Sequence, residues 1–252
     1  LGSVQNENFL SQVFSNNNID IVFHAAAYKH VPIVEENVLE SLNNNVFSTH
    51  NLILESIKNK IKNFILISSD KAVYPTNIMG ATKRLSEVMC QSYSNNITKF
   101  SIVRFGNVMR SSGSVIPLFE TQIKKGGPIT VTDKNVTRYF MSISEAVELV
   151  METIPITKGN EVFLLNMGEP KKILDIAIKM IHLNGYNFYF KNGNDNYMNS
   201  SKDFNLAIKF IGLRHGEKLH EQLSYETKLT KTKNRKIFKT NENVLLTYNI
   251  KE

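Results

Sequence analysis

Phe64-Ile65-Leu66-Ile67-Ser68-Ser69-Asp70-Lys71, followed by Met79-Gly80-Ala81-Thr82-Lys83, is the stretch that decides how the rest of the chain reads. The apolar, partly β-branched run predicts a buried strand over Phe64 to Ser68. Ile78 to Tyr93 then has helical spacing, with Ala81, Leu85, Val88, Met89 and Ser92 expected to face inward. Ser69, Asp70 and Lys71 thus leave a strand at its carboxyl end, where ligands bind in open α/β sheets. Met79 and Lys83 share a helix face distinct from that of Leu85 and Met89, so the lysine can point into a cleft.

The same alternation continues on both sides. Ile19 to His24 reads as a buried strand closed by Ala25-Ala26-Ala27, Glu35 to about Ile57 as an amphipathic helix, and Phe100 to Arg104 as a third strand. Ser114 to Lys125 predicts a helix stopped by Gly126-Gly127-Pro128, and Ser144 to Ile154 and Ile173 to Asn184 predict two more. Ile129 to Thr132 and Val162 to Leu165 read as strands, and Gly185 to Asp203, dense in Asn, Gly and Ser, as a mobile surface loop. Strands alternating with helices imply an α/β fold with a parallel sheet covered on both faces. The expected division is residues 1–110 for a cofactor-binding part with the catalytic residues, and 111–252 for a smaller substrate-binding part.

Composition narrows the classes without choosing among them. The 252 residues suit one large domain or two modest ones, and 42% hydrophobic content excludes a disordered chain. A net charge of +7 suits an anionic ligand, a membrane surface or nucleic acid. Lys228, Lys231, Lys233, Arg235, Lys236 and Lys239 form a basic run, read as a solvated helix face or tail; no aromatic-plus-basic motif beside it points to nucleic acid. Cys90 is the single cysteine, so there is no intramolecular disulfide, and a reducing compartment is the simpler expectation. The histidines at 24, 30, 50, 182, 215 and 220 show no metal-ligand spacing. No apolar run is long enough to cross a bilayer, and no signal peptide opens the chain.

Several motifs together resemble one family. His24-Ala25-Ala26-Ala27-Tyr28-Lys29-His30-Val31-Pro32, Ser69-Asp70-Lys71-Ala72-Val73 with Pro75-Thr76-Asn77, and Met79-Gly80-Ala81-Thr82-Lys83-Arg84 are similar to the polysaccharide-biosynthesis branch of the extended short-chain dehydrogenase/reductases. That branch holds the UDP-N-acetylglucosamine 4,6-dehydratases. Arg104-Phe105-Gly106-Asn107-Val108, Gly127-Pro128-Ile129-Thr130-Val131-Thr132, Thr137-Arg138-Tyr139-Phe140-Met141, Asn166-Met167-Gly168-Glu169-Pro170 and Gly212 to Leu219 follow in the family's order, covering residue 1 to about 227.

The chain departs from that pattern twice. Met79 stands where most short-chain dehydrogenases carry a tyrosine base, and a thioether has no titratable proton. It resembles a subset of these dehydratases, many membrane-anchored; without the resemblance it reads as a helix packing residue. The family's first strand, Gly-rich turn and helix, which bind the cofactor pyrophosphate, have no counterpart here. The expectation is therefore an incomplete Rossmann-type sheet, lacking its first βα unit and belonging to a fragment of a longer enzyme.

What the resemblance implies is a lyase using NAD or NADP. Hydride leaves C4 of the hexose, the C5 proton and C6 hydroxyl are eliminated, and hydride returns at C6. Lys71 is expected to take the C5 proton as a neutral amine and Asp70 to protonate the departing hydroxyl; a surface ion pair is the plain alternative. Ser69 would hold the sugar O4, whose proton passes to water or to Asp70 at an earlier stage. Lys83 would bond the nicotinamide ribose, with Ala25, Ala26, Ala27, Lys29, Asn45, Phe105 and Gly106 along the cofactor wall, although alanines equally suit a packed strand end. For a UDP-sugar, Asn107, Arg138 and Arg214 would meet phosphate or ribose, Thr130 and Val131 the base, and Glu217 the ribose hydroxyls; Arg138 also reads as a surface charge. The resemblance further implies self-association, and a place in the cytoplasm or at the cytoplasmic face of a membrane. A nucleotide-sugar epimerase and a catalytically incomplete nucleotide-sugar-binding remnant are the rival readings.

Overall fold

A computed structural model describes residues 1–93, 97–191, 205–226 and 228–242. In chain order these form α1 (Glu7–Asn16), β1 (Ile21–His24), α2 (Val31–Glu36), α3 (Val38–Leu42), α4 (Ser48–Lys58), β2 (Asn63–Ile67), α5 (Ile78–Ser92), β3 (Lys99–Arg104), β4 (Asn107–Val108) and α6 (Val115–Lys124). They continue with β5 (Ile129–Val131), β6 (Thr137–Arg138), β7 (Phe140–Met141), α7 (Ile143–Glu152), β8 (Val162–Leu165), β9 (Lys171–Lys172), α8 (Ile173–Leu183), β10 (Asn187–Lys191), β11 (Asn205–Phe210), β12 (Thr230–Lys231) and β13 (Ile237–Thr240). Among the described residues no helix is long and apolar enough to cross a membrane.

The chain divides into two compact units. The first comprises Leu1–Gly106, Ser144–Asn166 and the described part of Gln222–Glu252; the second comprises Asn107–Ile143 and Met167–Glu221. A single cut after residue 110 therefore does not describe the chain, because two later segments return to complete the first unit's sheet. That sheet runs β1-β2-β3-β8-β13-β12, with β1, β2, β3 and β8 parallel and β13 and β12 antiparallel. Leu66 pairs with Ile102 and Ile102 with Val162, fixing the register at the centre. Leu52 and Ile53 of α4, Leu10 and Phe14 of α1, and Phe64, Leu66, Phe100 and Leu164 of the strands form one buried cluster. Short apolar strands buried on both faces are what a parallel sheet requires.

The second unit has a three-stranded parallel sheet in the order β10-β11-β5, with β4 paired to β7 and β6 to β9. Phe119 and Ile123 of α6 and Ile173, Ala177 and Ile181 of α8 pack with Ile129 and Ile208. Their i, i+4 and i+8 spacing puts one apolar stripe on each helix against the sheet.

Four local expectations are corrected. The helix expected from Glu35 to Ile57 is broken: Asn37 has φ −130 and ψ 56 between α2 and α3, and Asn43–Phe47 widens into a π-turn. Within Gly185 to Asp203, Asn187–Lys191 is a strand, its Phe188-Tyr189-Phe190 pairing with β11; the rest of that stretch from 192 lies outside the described residues. The basic run forms the hairpin of β12 and β13 rather than a helix face or tail, with lysines on the edge of a sheet, where charge discourages further strand pairing. Finally, Ala81 and Leu85 of α5 are exposed, while Met79, Thr82, Lys83, Ser86, Glu87, Cys90 and Gln91 are buried. Val88 is buried and Met89 packs against the sheet core as expected, so apolar spacing found part of the inward face and missed its polar part.

Candidate active site

The carboxyl ends of β1, β2 and β3 gather most of the residues singled out in the first unit. After β2, Ser69 caps a single helical turn, Asp70–Ala72, by accepting from the Lys71 amide. This turn places Asp70 with no exposed surface, and its backbone N–H donates 3.2 Å to the Phe105 carbonyl beyond β3. Lys71 Nζ lies 2.9 Å from Asp70 Oδ1, and Ser69 Oγ donates 2.8 Å to the same oxygen. Asp70 Oδ2 is buried and accepts no hydrogen bond among the described residues. Such an oxygen is costly unless something occupies it, and a group from a ligand is one solution.

The helix α5 is fitted closely to this turn. Asn77 caps it by accepting 2.8 Å from the Gly80 amide, and a Cβ on Gly80 would collide with the Lys71 carbonyl oxygen. Gly80 thus lets the helix carrying Met79 and Lys83 approach the Asp70–Lys71 backbone. Met79 is buried at 4% exposure, one turn before Lys83. Lys83 Nζ donates 2.9 Å to the Ile67 carbonyl, at the end of β2. Burial pushes the Lys83 ammonium down to about 8, against the opposing pull of Glu87 and Cys90. Burial, and secondarily Lys83, pushes His24 down to about 3, so its imidazole is neutral. Thr49 Oγ1 donates to the Asn45 carbonyl, which makes His24 Nε2 the donor in its 2.7 Å bond to that hydroxyl.

Asn45, expected along a cofactor wall, is buried. Its side chain accepts 2.7 Å from the Tyr28 amide and donates to the Tyr28 carbonyl and to Thr82 Oγ1, tying the Ala25–Lys29 segment to α5. The π-turn around Asn45 frees its carbonyl to accept from the hydroxyls of Thr49 and Ser86; such turns often mark functional positions. Ala25, Ala26 and Lys29 are exposed and Ala27, Phe105 and Gly106 half-buried.

Beneath the site lies a charge cluster that pattern reading missed. Glu87 takes the guanidinium of Arg104 through two bonds of 2.7 Å and the Ser68 hydroxyl at 2.6 Å, with Arg84 at 3.0 Å. Arg104 also reaches Glu242 at 2.9 Å, and neither Glu87 nor Arg104 is exposed. Burial favours a neutral Glu87, but Arg104, Ser68 and Arg84 outweigh it and hold the carboxyl below its usual range. Neither residue was singled out, because charged residues on a strand and a helix ordinarily read as solvated; three polar residues at 83, 86 and 87 on one helix face were the available signal.

The second unit assembles the other candidates. Arg138, 7% exposed, donates to the Thr137 and Leu219 carbonyls and lies 3.1 Å from Glu217 Oε1. Glu217 also accepts from Thr132 Oγ1 and, through Oε2, from the Arg214 amide. Arg138, Arg214 and Glu217 therefore form one connected loop system. Thr130 is engaged by Gln122 through both its amide and its hydroxyl. Val131 is 1% exposed in the apolar core, so any contact it makes with a base would be through its backbone. The Asn107 amide donates to the Tyr139 carbonyl beside the β4–β7 pair.

A nicotinamide cofactor fits the first unit at one point that can be checked. An ammonium has three donors, and among the described residues that of Lys83 gives one to Ile67, leaving donors for a ribose hydroxyl. The glycine-rich cradle for such a cofactor's pyrophosphate does not occur in residues 1–252.

Comparison with known proteins points in the same direction. A family model described as "Polysaccharide biosynthesis protein" matches residues 1–242. Capsular polysaccharide biosynthesis protein CapD of Staphylococcus aureus is 44% identical over 225 residues, covering 88% of this chain and 35% of that protein. UDP-glucose 4-epimerase of Rickettsia canadensis is 36% identical over 227 residues, covering 88% and 60%. The chain thus spans about a third of the first relative and 60% of the second. The X-ray structure of Pen from Bacillus thuringiensis superposes with a TM-score of 0.81 at 36% identity, covering 95% of this chain and 69% of Pen. DesIV, a dTDP-glucose 4,6-dehydratase of Streptomyces venezuelae solved with NAD and TYD bound, has a TM-score of 0.71 at 16% identity over 88% of this chain and 69% of its own, a likeness of fold.

Proposed function

The chain belongs to the polysaccharide biosynthesis protein family, and from that membership we propose that it serves a nucleotide-sugar 4,6-dehydratase of the UDP-N-acetylglucosamine type. The observation that carries this reading is the bonded Asp70–Lys71 pair at a strand end, with one carboxylate oxygen buried and unengaged. Elimination across C5 and C6 needs a base and an acid together at the sugar.

NAD or NADP, when bound, supplies the hydride acceptor for C4 and returns the hydride at C6. The chain does the proton work. Lys71 Nζ, as the amine, takes the C5 proton, and Asp70, protonated on Oδ2, gives its proton to the C6 hydroxyl so that water leaves. The pair then stands as ammonium and carboxylate, the arrangement at 2.9 Å seen here; the Lys71 ammonium gives its proton back to C5 as C6 is reduced, and Asp70 regains its proton from the sugar O4 of the next turnover, directly or through water. Ser69 holds O4 near the pair, and Met79 leaves that step without a tyrosine base, so the O4 proton goes to water or to Asp70. Lys83 bonds the cofactor ribose and adds positive charge, while Ala25, Ala26, Ala27, Lys29, Asn45, Phe105 and Gly106 form or brace the cofactor wall. Arg138, Arg214 and Asn107 bind diphosphate or ribose, Thr130 and Val131 flank the base, and Glu217 accepts from ribose while fixing Arg138. This reading places the protein in the cytoplasm or at the cytoplasmic face of a membrane.

Epimerisation at C4 is the second reading, favoured by the 36% identity to a UDP-glucose 4-epimerase. The mass of the product separates the two. The full-length gene product, given UDP-N-acetylglucosamine and NAD, is expected to yield a nucleotide sugar lighter by one water; a product of unchanged mass and inverted C4 would replace this reading by the second.

A further inference from the structure

We propose that Tyr225 is a positioning residue for the Asp70–Lys71 turn, a proposal that rests on the proton-transfer reading of that turn. Tyr225 lies in the segment that returns to the first unit after Gln222. Its hydroxyl donates 3.1 Å to the Ala72 carbonyl and accepts 3.0 Å from the Tyr74 amide. These two bonds bracket Val73 and seize the backbone immediately after Lys71. Tyr74 has φ +45, a left-handed conformation that costs energy for a residue with a Cβ and persists only where the surroundings impose it.

The tyrosine is itself fixed at both ends. Its ring meets the Tyr74 ring edge-on at 4.4 Å and lies 4.8 Å under the Arg84 guanidinium. Its amide donates 2.9 Å to Glu242 Oε1, and Glu242 is held by Arg104. The turn is also met by Gly80, where a Cβ would collide with the Lys71 carbonyl, and by the Asp70 amide bond to Phe105. The turn that presents Asp70 and Lys71 is thus gripped from the helix, from the neighbouring strand end and, through Tyr225, from a segment about 150 residues further on. A general acid and base on adjacent residues depend on the backbone that joins them, because proton transfer tolerates only small displacements.

The Tyr225→Phe variant tests this, since it keeps the ring and removes only the oxygen that holds Ala72 and Tyr74. Amide exchange at Tyr74 is expected to quicken about tenfold or more while the β3 amides stay protected, showing that the sheet is intact. In the same protein, kcat is expected to fall about tenfold to a hundredfold with KM for the nucleotide sugar moved by less than about twofold. Because Tyr225 acts through the turn that carries both groups, the loss of kcat from Tyr225→Phe is expected to be smaller in the Asp70→Asn background than in the unaltered protein. An unmoved Tyr74 amide, an unmoved kcat, or a loss undiminished in that background would overturn the proposal. Failure of the reading beneath it has its own signature, undiminished turnover by Asp70→Asn alone.

Discussion

The two units bury polarity in different ways. In the first, ionisable groups go deep: Asp70, Glu87 and Arg104 have no exposed surface, and Lys83 retains 8%. In the second, the core of Phe119, Ile123, Ile129, Val131, Ile181 and Ile208 is apolar; of its candidate charges Arg214 and Glu217 lie on a loop, and Arg138, buried on β6, is paired to Glu217 and to backbone carbonyls. Buried charge is costly, and it is tolerated where each group is paired or has chemistry to perform. On the proposed reading, reaction falls to the first unit and recognition to the second, and that division can be attacked from either side.

The largest effect is expected at Asp70. Asp70→Asn keeps the shape and removes the transferable proton, so turnover should fall on the order of a thousandfold while calorimetric affinity for UDP stays within about threefold. Equal losses of rate and affinity would erase the division of labour. Next comes the charge cluster. Glu87→Ala takes two bonds from Arg104, leaves it with Glu242 in a site without exposure, and should destabilise the protein by about 3 kcal/mol in denaturant titration; a loss below about 1 kcal/mol would mean that Glu242 or water satisfies the guanidinium.

A smaller effect lies at His24. Its pKa falls from 6.5 unfolded to about 3 folded, so between those values the unfolded chain binds more protons and stability rises with pH. At pH 5 this should cost about 2 kcal/mol relative to neutral pH, and His24→Gln should flatten that slope in denaturant titrations across the acid range. Smallest is Arg138→Lys. Losing the planar fork while keeping the charge should raise KM about tenfold with kcat nearly constant; a fall in kcat alone would move Arg138 into the reacting centre.

Patterning was legible where burial and hydropathy coincide. The strand of Phe64 to Ile67 and the helix from Ile78 stand where apolar runs and helical spacing predicted them, and the Ser69-Asp70-Lys71 triplet falls at the strand end. What escaped was polarity turned inward. Among the described residues Arg104 is the largest fully buried side chain, and its partner Glu87 lies on the α5 face that the apolar residues Ala81 and Leu85 seemed to leave to solvent. Only long-range pairing, which no local window contains, makes such burial affordable. Asn45 was visible as a site residue through resemblance, but its work of clamping Tyr28 to Thr82 requires the π-turn that broke the expected helix. Likewise Phe188-Tyr189-Phe190 alternates as a strand, and surrounding Asn and Gly outweighed it until β11 supplied the partner.

The most direct test mixes the full-length Lys71→Met variant with NAD and UDP-N-acetylglucosamine and follows the absorbance of the reduced nicotinamide. If Lys71 is the base at C5, hydride still leaves C4 but elimination stalls, so reduced cofactor should build up toward about one per active site with no 4-keto-6-deoxy product. Product formation at the rate of the unaltered protein would contradict the assignment of proton transfer to the Asp70–Lys71 pair.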